Sequence, residues 1–291
     1  GSQDLAGSLV TEIDALNAQL LNASSFGDVP LIRHLVLLGA APNTVTPKEK
    51  GQENCHVAMQ PVHLAAANGH IEAIHTLVEL GAEIGVEAGT GETALHFAAE
   101  NGHTEVVKVL LETVRFEFSV DCFGFGNASA LMSAVQNGHI ETAKFLLSKG
   151  ADVNLTDIWS TSALHLAAMH GRPDVIELLV KAGAEMEEGD WGGRTPLHIA
   201  AEYGETATCE ALLDMGASLE VRAENGYNAL EWAQWRAKKD SARVLRRAMG
   251  LDEVLSEDEH DEAAEWVGVR GAGQEAEAVG KAEGGGEMTD E

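Results

Sequence analysis

Residues 194–204 read RTPLHIAAEYG, and the same phrase returns three more times. It begins at Gln60 as QPVHLAAANGH, at Glu92 as ETALHFAAENGH and at Thr161 as TSALHLAAMHG. Aligning the phrases puts His63, His96, Met132, His165, His198 and Glu231 in one column, at spacings of 33, 36, 33, 33 and 33 residues. A second column holds Gly69, Gly102, Gly138, Gly171 and Gly204. A third holds Gly81, Gly150, Gly183 and Gly216, each followed by Ala. A fixed period of this length marks a stacked repeat, in which each unit buries its apolar face only against its neighbours.

Local chemistry accounts for each column. In Thr195-Pro196-Leu197-His198 the Thr caps a helix, and the Pro takes the first helical position, where its missing N–H costs little. The Ala pairs 65/66, 98/99, 167/168 and 200/201 let neighbouring helices approach closely. The glycine column stops this short helix by supplying a left-handed residue. A second helix follows, with the apolar pairs Leu77-Val78, Leu110-Leu111, Leu146-Leu147, Leu179-Val180 and Leu212-Leu213. The chain then reads extended, as in GADVN at 150–154, and turns back into the next unit.

The motif TPLHxAAxxGH, its Leu-rich helix and GADVN resemble the ankyrin-repeat family over residues 10–247. The resemblance implies an all-α solenoid of antiparallel helix pairs with projecting β-hairpin loops, about seven units long. The repeat domain is placed at 10–250, after a linker or cloning remnant at 1–9. An earlier, weaker unit stands in LLNASSFGDVPLIRHLVLLGAAPN, 20–43, and the longer link after it falls near 44–58. The last unit, YNALEWAQWRAKKDSARVLRRA from Tyr227, is polar, as a terminal cap must be. One period is irregular: ETVRFEFSVDCFGFGNAS, from Glu112, replaces the Gly-Ala end, with Val114 where Gly is expected. It reads either as a longer hairpin or as a specialised finger carrying Phe123 and Phe125.

The formal net charge of −28 repels nucleic acid and anionic membranes and favours basic partners. Residues 251–291 hold 14 of the acids against Arg270 and Lys281, with no sustained apolar pattern, and are expected to be a disordered acidic, Gly/Glu-rich tail. Ser256, ahead of Glu257-Asp258-Glu259, is a candidate phosphorylation site. Six cations, Arg236, Lys238, Lys239, Arg243, Arg246 and Arg247, crowd the last helix just before that tail. No apolar run reaches the ~18 residues of a membrane span. Cys55, Cys122 and Cys209 form no CxxC and read as reduced thiols, which points to the cytoplasm or nucleus. No HExxH, Ser/His/Asp set, paired-Cys site or phosphate loop occurs among these residues. Neither a cofactor nor a metal is expected, and an enzyme is not the reading. The family resemblance implies instead that His63, His96, His165 and His198 bond across their own helix starts.

One residue resists this account: Trp191, in GDWGG, where a turn needs no large apolar side chain. The family meets its partners through hairpin tips and the exposed end of the first helix. Carried over, those positions are Gly89, Thr90, Glu92, Glu100 and Asn101 in the third unit. The irregular fourth supplies Phe123, Phe125, Gln136 and Asn137, and the fifth Ile158, Trp159, Thr161, Met169 and His170. The sixth supplies Trp191, Gly192, Arg194, Glu202 and Tyr203, and the last Glu224, Asn225, Tyr227, Trp235 and Arg236. The chain has five Trp, two Tyr and seven Phe, and half of these aromatics fall in four consecutive units of these columns. Asp157, Asp190, Glu202 and Glu224 flank them. An exposed aromatic stripe marks an interaction site, and carboxylates around it suit a basic, partly apolar peptide. The expected function is a non-enzymatic, monomeric module that binds such a segment of another protein. Packing of the tips on one another is the competing reading of the stripe, and Trp232 and Trp235 could simply cover the end of the core. The alternatives in function are a histone-tail or modified-lysine reader using Trp159 and Trp191, an inhibitor that masks a basic segment of a transcription factor, and a regulatory piece of a larger enzyme.

Overall fold

The computed structural model describes residues 2–47, 58–113 and 119–251. Most of the 44–58 link, Cys55, Val114 and the acidic tail with Ser256 lie outside the described residues. Fourteen α-helices form seven antiparallel pairs among the described residues. The pairs are α1 (Ser2–Phe26) with α2 (Val29–Leu37), α3 (Pro61–Ala67) with α4 (Ile71–Glu79), and α5 (Ala94–Glu100) with α6 (Thr104–Thr113). Next come α7 (Ala130–Gln136) with α8 (Ile140–Ser148) and α9 (Ala163–Met169) with α10 (Pro173–Lys181). The last two are α11 (Pro196–Tyr203) with α12 (Thr206–Asp214) and α13 (Ala229–Trp235) with α14 (Lys239–Ala248). Odd helices pack on odd and even on even, which makes two helical layers along the stack. The helix of the first unit runs back to Ser2, ahead of residue 10 where the array was expected to open. The hairpins are tight turns carrying only the isolated bridges Phe123–Ser129 and Thr156–Ser162 among the described residues.

The core follows the repeat columns. Every residue of the four Ala pairs is fully buried, as are Leu77, Leu110, Leu146, Leu179 and Leu212. Their neighbours Val78, Leu111, Leu147, Val180 and Leu213 are only partly buried against the same core. In the last unit Arg246 takes that second column, which suits an end with no further pair stacked on it. The opposite end is apolar. Leu31 is 37% exposed, whereas its equivalents Ala73, Val106, Thr142, Val175, Thr208 and Ser241 are closed off by the preceding pair.

The motif histidines tie the units together. In His63, His96, His165 and His198, Nδ1 accepts from the N–H of the residue capping its own helix, at 3.0–3.2 Å. The other ring nitrogen donates to a main-chain carbonyl leading into the next unit: Val86, Ala128, Arg194 and Tyr227 respectively, at 2.9–3.1 Å. Both nitrogens are thus committed to the neutral ring, and burial holds each pKa below the ordinary histidine value. At the column's irregular members, Met132 Sδ lies 3.4 Å from the Ser129 N–H, and the Glu231 carboxylate accepts from Asn228 N–H at 2.9 Å.

Candidate protein-interaction surface

The hairpin tips are built alike. The N–H of Ala88, Gly124, Asp157, Asp190 and Ala223 donates to the carbonyl four residues on, at 2.7–3.0 Å. Three residues past each donor the backbone takes positive φ, at Gly91, Asn127, Ser160, Gly193 and Gly226. This register aligns Phe125, Ile158, Trp191 and Glu224 in one tip column. Gly126, Trp159, Gly192 and Asn225 form the next. The tips are then joined by main-chain bonds: Ile158 N–H to Gly126 O, Trp191 N–H to Trp159 O and Glu224 N–H to Gly192 O, at 2.9–3.0 Å. Four fingers therefore form one laterally bonded edge. Asp157 and Asp190 fix the turns from within, each accepting two main-chain N–H groups at 2.8–2.9 Å.

That edge presents apolar side chains to solvent. Phe125 is 60% exposed, Ile158 58%, Trp159 50% and Trp191 79%. Phe123 and Tyr203 are also exposed. Trp159 and Trp191 stand one column apart, opposite Gly192 and Ile158. The Trp159 ring packs over Gly126, where a Cβ would lie 3.4 Å from it. Met169 is partly buried against the core, and His170 is exposed.

The remaining members of the expected site are drawn into a second cluster at the C-terminal end. Trp232 is buried and meets Trp235 and Tyr227 edge-on, with centroids 5.1 and 6.4 Å apart. The Arg194 guanidinium lies 5.9 Å from the Trp232 ring, and that of Arg236 4.7 Å from Trp235. Arg194 grips Asp190 Oδ2 through Nε and Nη2 at 2.9 and 2.6 Å and reaches Glu202 at 2.7 Å. Arg236 Nε approaches the other Glu202 oxygen at 3.1 Å, and its Nη2 pairs with that oxygen as well.

This geometry corrects the expected acidic rim. The Asp190 and Glu202 side chains are each only 7% exposed, and both are neutralised by arginines of the same chain. Burial opposes ionisation of Asp190, but its bonds from Arg194 and Gly192 outweigh that and keep its carboxyl below the ordinary value. Of the four carboxylates, Glu224 is exposed and Asp157 half-buried. Arg194, Tyr227 and Trp235 likewise pack on Trp232, and Arg236 on Trp235.

Among the described residues no group of three or more His, Cys, Asp or Glu is placed to hold a metal ion, and no helix is long and apolar enough to cross a membrane. Cys122 and Cys209 are free thiols, and burial pushes Cys209 up to about 12.

A family model described as ankyrin repeats (3 copies) matches residues 20–114, 62–157 and 164–253. No curated protein matches the chain significantly. Among solved structures, the crystal structure of the human ASB11 ankyrin repeat domain is similar, with a TM-score of 0.67 and 27% sequence identity. The match covers 79% of this chain and 96% of that one. Ankyrin repeats are generally protein–protein interaction modules and are typically non-enzymatic. On the repeat columns, the seven stacked pairs and the extent of the family match, the chain belongs to the ankyrin-repeat family.

Proposed function

We propose that the chain binds a segment of another protein along its finger edge, with Trp191 as the central anchor and Phe125, Ile158 and Trp159 beside it. The observation that carries this reading is the exposure of Trp191, 79%, at a tip whose main chain is bonded to the tip before it. A solvent-facing indole on a main chain held by lateral bonds offers a large contact area, and Trp is among the residues that dominate interfaces. The apolar row selects a partner with large apolar side chains. Exposed Glu188 and Glu224, with the negative field of the whole chain, favour basic residues around them.

A display library of natural peptide segments, selected on the intact protein and re-tested on Trp191→Ala and Trp159→Ala, supplies the test. Truncating either indole should cost about 2 kcal/mol of binding, roughly 30-fold in affinity. The melting temperature of Trp191→Ala should stay at the parent value, because its indole is outside the core. Ligands that bind both variants as tightly as the parent would remove the finger edge as the site.

A further inference from the structure

We infer that the basic end of the solenoid, α14 with the hollow at its start, is a docking face for the chain's own acidic segment, residues 252–265. The structure brings the cations of the last unit onto one surface. Lys238 and Lys239 line an open hollow of about 350 Å³, together with Tyr203, Ala237, Asp240 and Ser241. Arg243, Arg246 and Arg247 continue along the same helix. Two of the cations already have acidic partners: Arg236 pairs with Glu202, and Arg243 with Asp240 at 3.2 Å. Lys238, Lys239 and Arg246 form no ion pair among the described residues, on a chain whose acids outnumber its Lys and Arg by 47 to 19. Asp240 lines the same hollow but is paired with Arg243, so Lys238, Lys239 and Arg246 have no counter-charge from the described residues. The occupant such a face selects is an acidic segment.

The segment that follows has that chemistry and the right tether. Residues 252–265 contain eight acids and no Lys or Arg. The helix ends where Gly250 takes φ 71°, and Leu251 N–H returns to Arg246 O at 3.0 Å. The chain therefore departs beside Arg246. Ten residues of α-helix rise about 15 Å, and about five extended residues span that distance. From Leu251 the intervening residues are therefore long enough for Glu257-Asp258-Glu259 to reach Lys238 and Lys239. A tether this short holds the acids at a millimolar effective concentration, which favours this segment over an acidic partner in solution.

The test compares the amide spectrum of the intact, isotope-labelled chain with that of a full-length chain whose eight acids at 252–265 are changed to Asn and Gln. A third chain carries Lys239→Glu and Arg243→Glu. At low salt the amides of residues 238–247 should differ between the intact and neutralised chains. The difference should vanish at about 1 M salt, where the Debye length is about 3 Å. In the charge-reversed chain the segment's own amides should sit where they do in the intact chain at high salt. Superimposable spectra of the intact and neutralised chains at low salt would overturn the inference. So would spectra that superimpose while an added synthetic 252–265 peptide still shifts the same amides, because the face then belongs to acidic partners in trans.

Discussion

Mild acid should loosen this fold well before its carboxylates titrate. His63, His96, His165 and His198 are buried, neutral and bonded through both ring nitrogens. A proton on Nδ1 would point an N–H at the capping N–H that this nitrogen now accepts. Burial holds each folded pKa below the free value of about 6.5. Above the free value neither state is protonated and stability is complete. As pH falls through it, the unfolded chain takes up protons first and stability declines. The loss levels off only below the folded pKa. Between about pH 7.5 and pH 5.5, a histidine with the ordinary unfolded pKa that stays neutral in the fold costs about 1.4 kcal/mol. Four such residues give an upper limit of about 5 kcal/mol, a large share of the 5–15 kcal/mol that typically holds a domain together. Carboxylates of ordinary pKa remain ionised across this window and drop out. Urea unfolding followed by circular dichroism at the two pH values measures the effect. His165→Gln, which removes one titrating group, should flatten the pH dependence by about a quarter, whatever it does to stability at neutral pH. Equal unfolding free energies at the two pH values would refute the reasoning.

Arg194→Met should destabilise the C-terminal half by about 2–4 kcal/mol, because it strands the buried Asp190 and leaves Glu202 to Arg236 alone; a parental thermal unfolding midpoint would count against the cluster. Leu179→Ala empties a fully buried site between α10 and its neighbours and should cost about 2–5 kcal/mol in denaturant unfolding. Ala237→Gly should stabilise by about 0.5–1 kcal/mol, since Ala237 holds φ 56° in a column that is glycine in all six preceding units. A lower unfolding midpoint for this variant would show that the methyl group packs better than the strained backbone suggests.

The helix pairs were legible because each unit repeats the same local devices. A cap, a Pro or Ala opening and a stop glycine recur at spacings of 33 or 36 residues, with an Ala pair in four units, and each can be read without tertiary knowledge. The motif histidine was half legible. Its bond to its own helix start is local and follows from the family pattern. Its second bond, from His165 to Arg194 O for example, spans 29 residues and becomes visible only when units are stacked. The same limit applies at the tips. Alignment by unit already set Trp159 and Trp191 one column apart, opposite Gly192 and Ile158, but the main-chain bonds that join the tips, such as Trp191 N–H to Trp159 O, link residues 32 apart in sequence and appear only when units are stacked.

Glu202 shows most sharply why an acidic residue in a contact column need not be a contact. Its column holds Glu100, Gln136, Met169 and Trp235 in other units, a set that fits an exposed helix end. Nothing in its own column signals burial. The signal lay in two other columns: Arg194 eight residues before it and Arg236 one period further on, both departures from what their columns hold elsewhere. Two cations introduced on either side of one carboxylate, in a chain this short of cations, are more economically explained as its partners than as three separate surface residues. With Trp232 and Trp235 against those guanidiniums, the sixth and seventh units are joined by a charged and aromatic cluster. The aromatics nearest the sequence end thus serve stability first. Of the expected contact columns this leaves Phe123, Phe125, Ile158, Trp159, Trp191 and Tyr203 as large apolar side chains that are exposed and outside that cluster.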